Sequence, residues 1–178
     1  MTPHTRTYSI TNLLIALTVI FYGIQIIVPD GTIRFGLNQL ILQYPSSFFY
    51  QLLSTMFTHG GIEHLLMNMI VLWQFGNLLE DYMGKVKFLI LYFLGGILTS
   101  VGSLVYMVFT NDYANIVGAS GAISVIMGYF TLKSPSHRQG IIIWMLAISF
   151  LPLLFGMNVA WYSHLIGFVI GFILGLGL

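Results

Sequence analysis

Three sets of residues in this chain of 178 residues have side chains that could do chemistry, and each lies in an apolar segment. Ser120 stands at the start of one segment, His164 lies in another, and His64 and Asn68 lie four residues apart in a third. A serine beside an imidazole is a nucleophile with an adjacent base. Polar groups inside membrane spans are costly and therefore functional candidates, although a serine at a helix contact is also a common packing device.

The composition places these segments in a membrane. Hydrophobic residues make up 57% of the chain and charged residues 6%, far below the roughly 25% of a soluble domain. We expect an all-α polytopic membrane bundle of six transmembrane helices, forming a single domain over residues 1–178. The net charge of +1 without a basic block argues against nucleic acid as a partner, and the lack of cysteine excludes thiolate chemistry.

The predicted elements are six helices and one interfacial loop. The helices are predicted over residues 10–28, 61–79, 88–109, 117–132, 141–155 and 160–178. We interpret the first as a membrane helix and not a removable signal peptide, because no small-residue cleavage site precedes a soluble domain. After a stop at Pro29-Asp30-Gly31, the stretch up to about Thr55 mixes apolar and polar side chains, which is typical of a structure lying at the membrane interface; the alternative is an ordinary long loop. The fourth helix rises only about 24 Å, short of a bilayer core of about 30 Å.

Basic residues are unevenly distributed between the two sides of this arrangement. One side has only Arg34, whereas the other side has Arg6, Lys85, Lys87, Lys133 and Arg138. The positive-inside rule makes the second side cytoplasmic, so both termini are predicted to be inside. The second, fourth and sixth helices then begin at the outer side, which places the three candidate sets at one depth in the outer leaflet.

Small residues recur at helical spacing around the serine and the histidine. Gly167, Gly171 and Gly175 share a helix face with His164, and Ser124 and Gly128 share a face with Ser120. Smooth faces of this kind let two membrane helices pack closely. The pattern therefore predicts that the fourth and sixth helices pack together with Ser120 opposite His164.

His64 and Asn68 stand at positions i and i+4, on one helix face. As a pair they could donate to an oxyanion, together with backbone amides at the start of the fourth helix, at Gly118 and Ala119. The alternative is that both residues form hydrogen bonds with neighbouring helices and have a structural role only.

A zinc site is the other chemistry that the sequence could support, because His59, Glu63 and His64 are close in sequence. Helical zinc motifs space their histidines by three or four residues. His59 and His64 are five apart, which is about 140° around a helix. We therefore expect no metal and no cofactor.

The chain resembles the rhomboid intramembrane serine proteases over essentially its whole length. Three motifs in the family's order carry the resemblance: His59, His64 and Asn68 in the second helix, Gly118-Ala119-Ser120-Gly121 before the fourth, and His164, Gly167 and Gly171 in the sixth. The resemblance implies a dyad of Ser120 and His164 without a carboxylate, and an oxyanion site that uses His64 and Asn68. His59, Gly121, Gly167 and Gly171 are then supporting residues.

The function implied by this resemblance is cleavage of transmembrane segments of other membrane proteins, near the outer face of the bilayer. A bacterial inner membrane is the expected location, and we expect a monomer to be competent. The alternative is a non-catalytic rhomboid-like protein that binds membrane helices for quality control. A small transporter would place polar groups in both leaflets, whereas here they cluster in one.

Two positions depart from the pattern of many rhomboid relatives. Tyr50-Gln51 stand where many have Trp-Arg in the first external loop. Ser124 stands where many have a tyrosine that stacks on the catalytic histidine. These departures concern the stability of the loop and the rate of the reaction, since the dyad itself is complete.

Overall fold

The computed structural model describes residues 8–156 and 158–178, and in these ranges the regular structure is helical, without strands. Arg6, used in the charge count above, lies outside them. The described helices are α1 (Ile10–Ile27), α2 (Gly31–Phe35), α3 (Leu40–Gln43), α4 (Pro45–Phe48), α5 (Gln51–Ser54), α6 (Ile62–Met83), α7 (Lys85–Thr110), α8 (Ser120–Lys133), α9 (Arg138–Leu154) and α10 (Trp161–Gly177). The six long helices match the predicted segments, and the predicted all-α class is confirmed.

Two of the described helices, α1 and α7, are long and apolar enough to cross a membrane, while α9 and α10 are apolar but shorter. The outer surface of the bundle is strongly apolar. Ile20 on α1 is 61% exposed and Leu154 on α9 is 81% exposed, and many other large apolar side chains on these helices face outward. Such a surface suits a lipid environment.

The central helix of the bundle is α8. Every residue from Ala122 to Tyr129 is buried, so the helix is covered on all sides, by α6, α7, α9 and α10. A helix that is apolar around its whole circumference belongs in a core. It has 14 residues, fewer than predicted, because it begins at Ser120 and not at the preceding glycine turn.

Helices α8 and α10 are in direct backbone contact, as the small-residue faces predicted. A methyl group added at Gly128 would overlap the carbonyl oxygen of Phe168, and one added at Gly171 would overlap that of Val125. At Gly167 an added methyl group would meet the carbonyl oxygen of Gly121. The two helices can therefore approach this closely only where side chains are missing.

The loop between α1 and α6 folds into four short helices and attaches to the segment ahead of α8. Leu37 and Ile116 exchange both backbone hydrogen bonds at 2.8 Å. Within the loop, Gln51 is fully buried, and its Nε2 donates to the carbonyl oxygens of Ile33 and Arg34 at 3.3 and 3.1 Å. Gln51 thus holds the loop together from its interior.

A buried carboxylate joins the start of α1 to the end of α6. Glu80 accepts hydrogen bonds from the backbone amides of Ile10 and Thr11, at 3.0 and 2.9 Å, and from the hydroxyls of Ser9 and Thr11 at 2.9 Å each. A carboxylate at a helix N-terminus satisfies free amides and complements the helix dipole. This contact extends α6 beyond its predicted end at residue 79, because Glu80 faces the bundle and not the solvent.

Candidate active site

Ser120 and His164 meet where α8 and α10 begin. Ser120 is the first residue of α8 and is half-buried, and His164 lies on the first turn of α10 and is 6% exposed. Their side chains are joined by a hydrogen bond of 2.9 Å between Ser120 Oγ and His164 Nε2. The predicted juxtaposition of these two side chains is therefore present, within the reach needed between a nucleophile and its base.

The turn ahead of Ser120 requires a glycine at position 118. Gly118 has a φ of 121°, a backbone conformation that residues with a Cβ rarely adopt. A Cβ built there would lie 2.8 and 2.9 Å from Cε1 and Nε2 of the His64 ring and 3.5 Å from Ser120 Oγ. His64 and Ser120 therefore border the same small space beside the glycine.

The hydrogen bonding of His64 indicates which ring nitrogen carries its proton. The Gly60 amide donates to His64 Nδ1 at 3.4 Å, so this nitrogen accepts and the hydrogen belongs on Nε2. His64 Nε2 has no hydrogen-bond partner among the described residues, and it borders the space beside Ser120. It is therefore an unused donor at the place where an oxyanion would form.

Asn68 is less free than the sequence suggested. Its Nδ2 donates to the carbonyl oxygen of His64, one turn earlier in α6, at 2.8 Å, and the side chain is 6% exposed. One of its two N–H groups is thus used within the helix. Its Oδ1 is buried with no partner among the described residues, which a water molecule in the site could satisfy.

The backbone amides of Gly118 and Ala119, predicted as oxyanion donors, have other partners in the structure. The Gly118 amide donates to the carbonyl oxygen of Thr55 at 3.0 Å, and the Ala119 amide donates to His59 Nε2 at 3.4 Å. The Ser120 amide, in contrast, has no hydrogen-bond partner among residues 8–156 and 158–178. The first amides of a helix lack intrahelical acceptors, so the Ser120 amide is a free backbone donor next to its own hydroxyl.

His59 supports the site but does not line it. It is fully buried in the linker ahead of α6, and its Nδ1 lies 3.2 Å from the carbonyl oxygen of Phe57. Burial lowers the pKa of this imidazole to about 4, with a smaller contribution from the nearby His64, so it is neutral at neutral pH. A neutral ring that donates from Nδ1 can accept from the Ala119 amide at Nε2, and this fixes the turn that carries Ser120.

A buried glutamine completes this support. Gln25 on α1 donates from Nε2 to the carbonyl oxygen of His59 at 2.7 Å and accepts the His59 amide at Oε1 at 2.9 Å. Gln25 was not among the predicted site residues, because it lies in an otherwise apolar run far from the motifs. An uncharged but strongly polar residue inside an apolar helix is the signal that could have identified it.

The other supporting glycines act through packing. Gly121 lies against Thr99 and Ser163, and Gly167 and Gly171 lie against the backbone of α8.

The described part of the chain contains no group of three or more histidine, aspartate and glutamate residues that could hold a metal ion. His59 and His64 come close, with ring centroids 5.2 Å apart, but the contact is edge to face.

The fold agrees with the comparisons to known proteins. Residues 46–178 match the Rhomboid domain family, so the chain belongs to the rhomboid family, and its fold is that of an all-α polytopic membrane bundle. The resemblance predicted from the three motifs is thus confirmed.

Relatives of two kinds are similar to this chain. Putative rhomboid protease YdcA of Bacillus subtilis is 32% identical over 133 residues, covering 70% of this chain and 65% of that protein. Rhomboid protease GluP of the same species is 32% identical over 136 residues, covering 72% of this chain and 25% of that protein. The human mitochondrial presenilin-associated rhomboid-like protein is 36% identical over 102 residues, covering 57% of this chain and 25% of that protein. The matches thus span about a quarter of the mitochondrial relatives' length.

Proposed function

We propose that this protein is an intramembrane serine endopeptidase that cleaves transmembrane segments of other membrane proteins. The observation that carries the proposal is the 2.9 Å hydrogen bond between Ser120 Oγ and His164 Nε2, at the start of a helix whose Ser120 amide is free. Relatives named rhomboid proteases support it at the level of the family.

In the proposed reaction, Ser120 Oγ attacks the carbonyl carbon of the scissile peptide bond while His164 Nε2 takes the hydroxyl proton. The carbonyl oxygen becomes an oxyanion, which accepts hydrogen bonds from His64 Nε2 and from the Ser120 amide, with Asn68 Nδ2 as a third donor. Collapse of this intermediate breaks the C–N bond, and His164 gives its proton to the leaving amine. Water then attacks the acyl-enzyme by the same route in reverse.

A second serine–histidine pair in the chain shows that a short distance between hydroxyl and imidazole does not by itself make an active site. Ser134 Oγ lies 2.9 Å from His137 Nδ1, beyond the other end of α8. That pair lies in the exposed turn between α8 and α9, where His137 Nδ1 is also 3.1 Å from Ser136 Oγ, and no described imidazole stands beside it as His64 stands beside Ser120. Among the described residues, the pair at the N-terminal end of α8 is the one in which a buried base lies beside an unused side-chain donor, His64 Nε2, for a developing negative charge.

The same proposal includes the location of the site. Ser120, His164 and His64 all lie on the first turn of their helices, so the three helices place the site at one depth. With the basic residues inside, this depth is the outer leaflet, both termini are cytoplasmic, and residues 1–178 act as one domain in a bacterial inner membrane. Cysteines placed at Asp112 and Arg138 test the orientation, since an impermeant thiol reagent should label only the former in intact cells.

A fluorophosphonate probe tests the chemistry, because it reacts covalently with an activated serine. We expect labelling of the wild type, loss of labelling in Ser120→Ala, and wild-type labelling in the matched control Ser134→Ala. A wild-type protein that binds transmembrane segments but is neither labelled nor able to cleave them would be the non-catalytic alternative. Labelling of Ser120→Ala at the wild-type rate would mean that another nucleophile is responsible.

A further inference from the structure

A third side chain contacts the serine–histidine pair, and it comes from a different helix. Ser149 lies on α9, is fully buried, and places its Oγ 3.2 Å from His164 Nδ1. The two ring nitrogens of His164 are therefore each in contact with a serine hydroxyl: Nε2 with Ser120 on α8 and Nδ1 with Ser149 on α9.

The direction of the bond to Ser149 follows from counting hydrogens. The Ser149 hydroxyl has one hydrogen, and its shortest contact is with the carbonyl oxygen of Met145, one helical turn earlier, at 2.7 Å. A carbonyl oxygen can only accept, so the hydrogen lies there. Toward His164 the Ser149 oxygen must then accept, which places the imidazole hydrogen on Nδ1.

This arrangement selects the tautomer that catalysis needs. With the hydrogen on Nδ1, the lone pair of His164 Nε2 faces the Ser120 hydroxyl and can remove its proton. If the hydrogen were on Nε2, the ring would donate to Ser120 and could not act as its base. The Ser149 hydroxyl could not then satisfy both Nδ1 and the Met145 carbonyl with its single hydrogen.

Few other contacts orient the ring of His164. No aromatic ring stacks on it among the described residues, and position 124, where many relatives have a tyrosine, is a serine whose hydroxyl is buried without a partner in the described part of the chain. The described hydrogen bonds to the imidazole of His164 are therefore those with its two hydroxyl partners.

We propose that Ser149 is a positioning residue for the reaction, an uncharged third member that holds His164 in its Nδ1-protonated form. The inference rests on the proposed protease function. In serine proteases with a triad, a buried aspartate at this place fixes the tautomer and also stabilises the imidazolium. A hydroxyl fixes the tautomer but supplies no charge, so its contribution is smaller.

Because Ser149 lies on α9, its contact with His164 depends on how α9 packs against the bundle. The buried residues of α9 are Ile141, Met145 and Ser149, which form a single stripe at four-residue spacing. Ser149 is the last of the three before Pro152, which interrupts the hydrogen bonds of the final turn. His164 thus has its second partner only while the end of α9 is packed against the bundle.

The first test is the nitrogen NMR spectrum of protein labelled with ¹⁵N-histidine, recorded where the imidazole is neutral. Five histidines are present, and the His164 signals are assigned by their loss in His164→Ala. We expect the proton of His164 on Nδ1 in the wild type and a mixture of tautomers in Ser149→Ala. A wild-type proton on Nε2 would overturn the inference without any variant at position 149.

The second test is kinetic. Ser149→Ala should lower kcat by about three- to tenfold with little change in KM, since one hydrogen bond between neutral groups is lost. Ser149→Thr, which keeps the hydroxyl, should restore the tautomer and most of the rate. The control is Ser103→Ala, which removes another fully buried serine hydroxyl, one with no partner among the described residues, and should change neither.

The outcomes separate the two proposals. If Ser149→Ala lowers kcat but leaves the His164 nitrogen signals unchanged, the positioning role is wrong although the enzyme is a protease. If the wild type neither cleaves nor reacts with fluorophosphonate, yet its His164 tautomer depends on Ser149, the protease proposal fails and the contact stands as structural.

Discussion

Gly118→Ala is the substitution whose effect can be worked out most directly from the structure. Gly118 has φ of 121°, so any Cβ there is strained by about 1 to 3 kcal/mol. The new Cβ would also lie 2.8 and 2.9 Å from two atoms of the His64 ring, closer than real contacts allow. The ring must therefore move away by several tenths of an ångström, and it carries the Nε2 donor with it.

Displacement of the His64 ring should lower kcat as well as the free energy of unfolding. Removing one donor from an oxyanion site typically costs about 10² to 10³ in kcat, and a displaced donor should cost a part of that, about tenfold or more. Because the donor acts on the transition state, KM should change little. The assay is cleavage of a transmembrane substrate in proteoliposomes, together with the free energy of unfolding of each variant.

Two comparisons separate strain from displacement. Gly84→Ala introduces a side chain at φ of 82° with nothing within 4 Å, so it should lower stability by a similar strain energy but leave kcat unchanged. In the background of His64→Ala, Gly118→Ala should cause little further loss of kcat, since no ring remains to be displaced. If Gly118→Ala keeps the wild-type kcat, or reduces it equally with and without His64, the assignment of His64 as a donor is refuted.

Three further predictions concern the site and the helix contact that holds it. Ser120→Ala and His164→Ala should each abolish nearly all turnover, and the double variant should lose little more because the two residues act as one unit; chelator-sensitive activity surviving Ser120→Ala would contradict this. Asn68→Ala should lower kcat less than Ser120→Ala and keep slowed fluorophosphonate labelling, whereas unchanged kcat with reduced stability would make Asn68 structural only. Gly128→Ala should lower the free energy of unfolding by about 1 to 3 kcal/mol and reduce activity by separating α8 from α10, while Gly140→Ala, with nothing within 4 Å, should not; equal unfolding curves would contradict the backbone contact.

The pairing of Ser120 with His164 could be predicted because both follow from helical periodicity. The glycines at four-residue spacing on α10 and the small residues on α8 define two faces, and faces of that kind pack together. Once Gly128 and Gly171 are opposite the partner backbone, the position of the serine relative to the histidine is set within a turn.

The contacts that could not be predicted depend on turns and on distant partners. Which amide at the start of α8 stays free depends on the acceptors Thr55 and His59, which reach Gly118 and Ala119 through a loop without periodic pattern. Ser149 was missed because a serine in an apolar run gives no sign of its partner on another helix. Its place in the stripe with Met145 was the available signal.

The unequal lengths of the helices have a consequence for the lipids around the protein. The 26 residues of α7 rise about 39 Å, whereas the 17 residues of α9 rise about 26 Å, less than a bilayer core of about 30 Å. We therefore expect lipids beside α9 to shorten or disorder their chains, at a cost of a fraction of a kcal/mol per ångström of mismatch. A transmembrane helix that fits the surrounding bilayer would be too long for this thinned zone, so its end would be pushed out of the hydrocarbon before it met any residue of the protein.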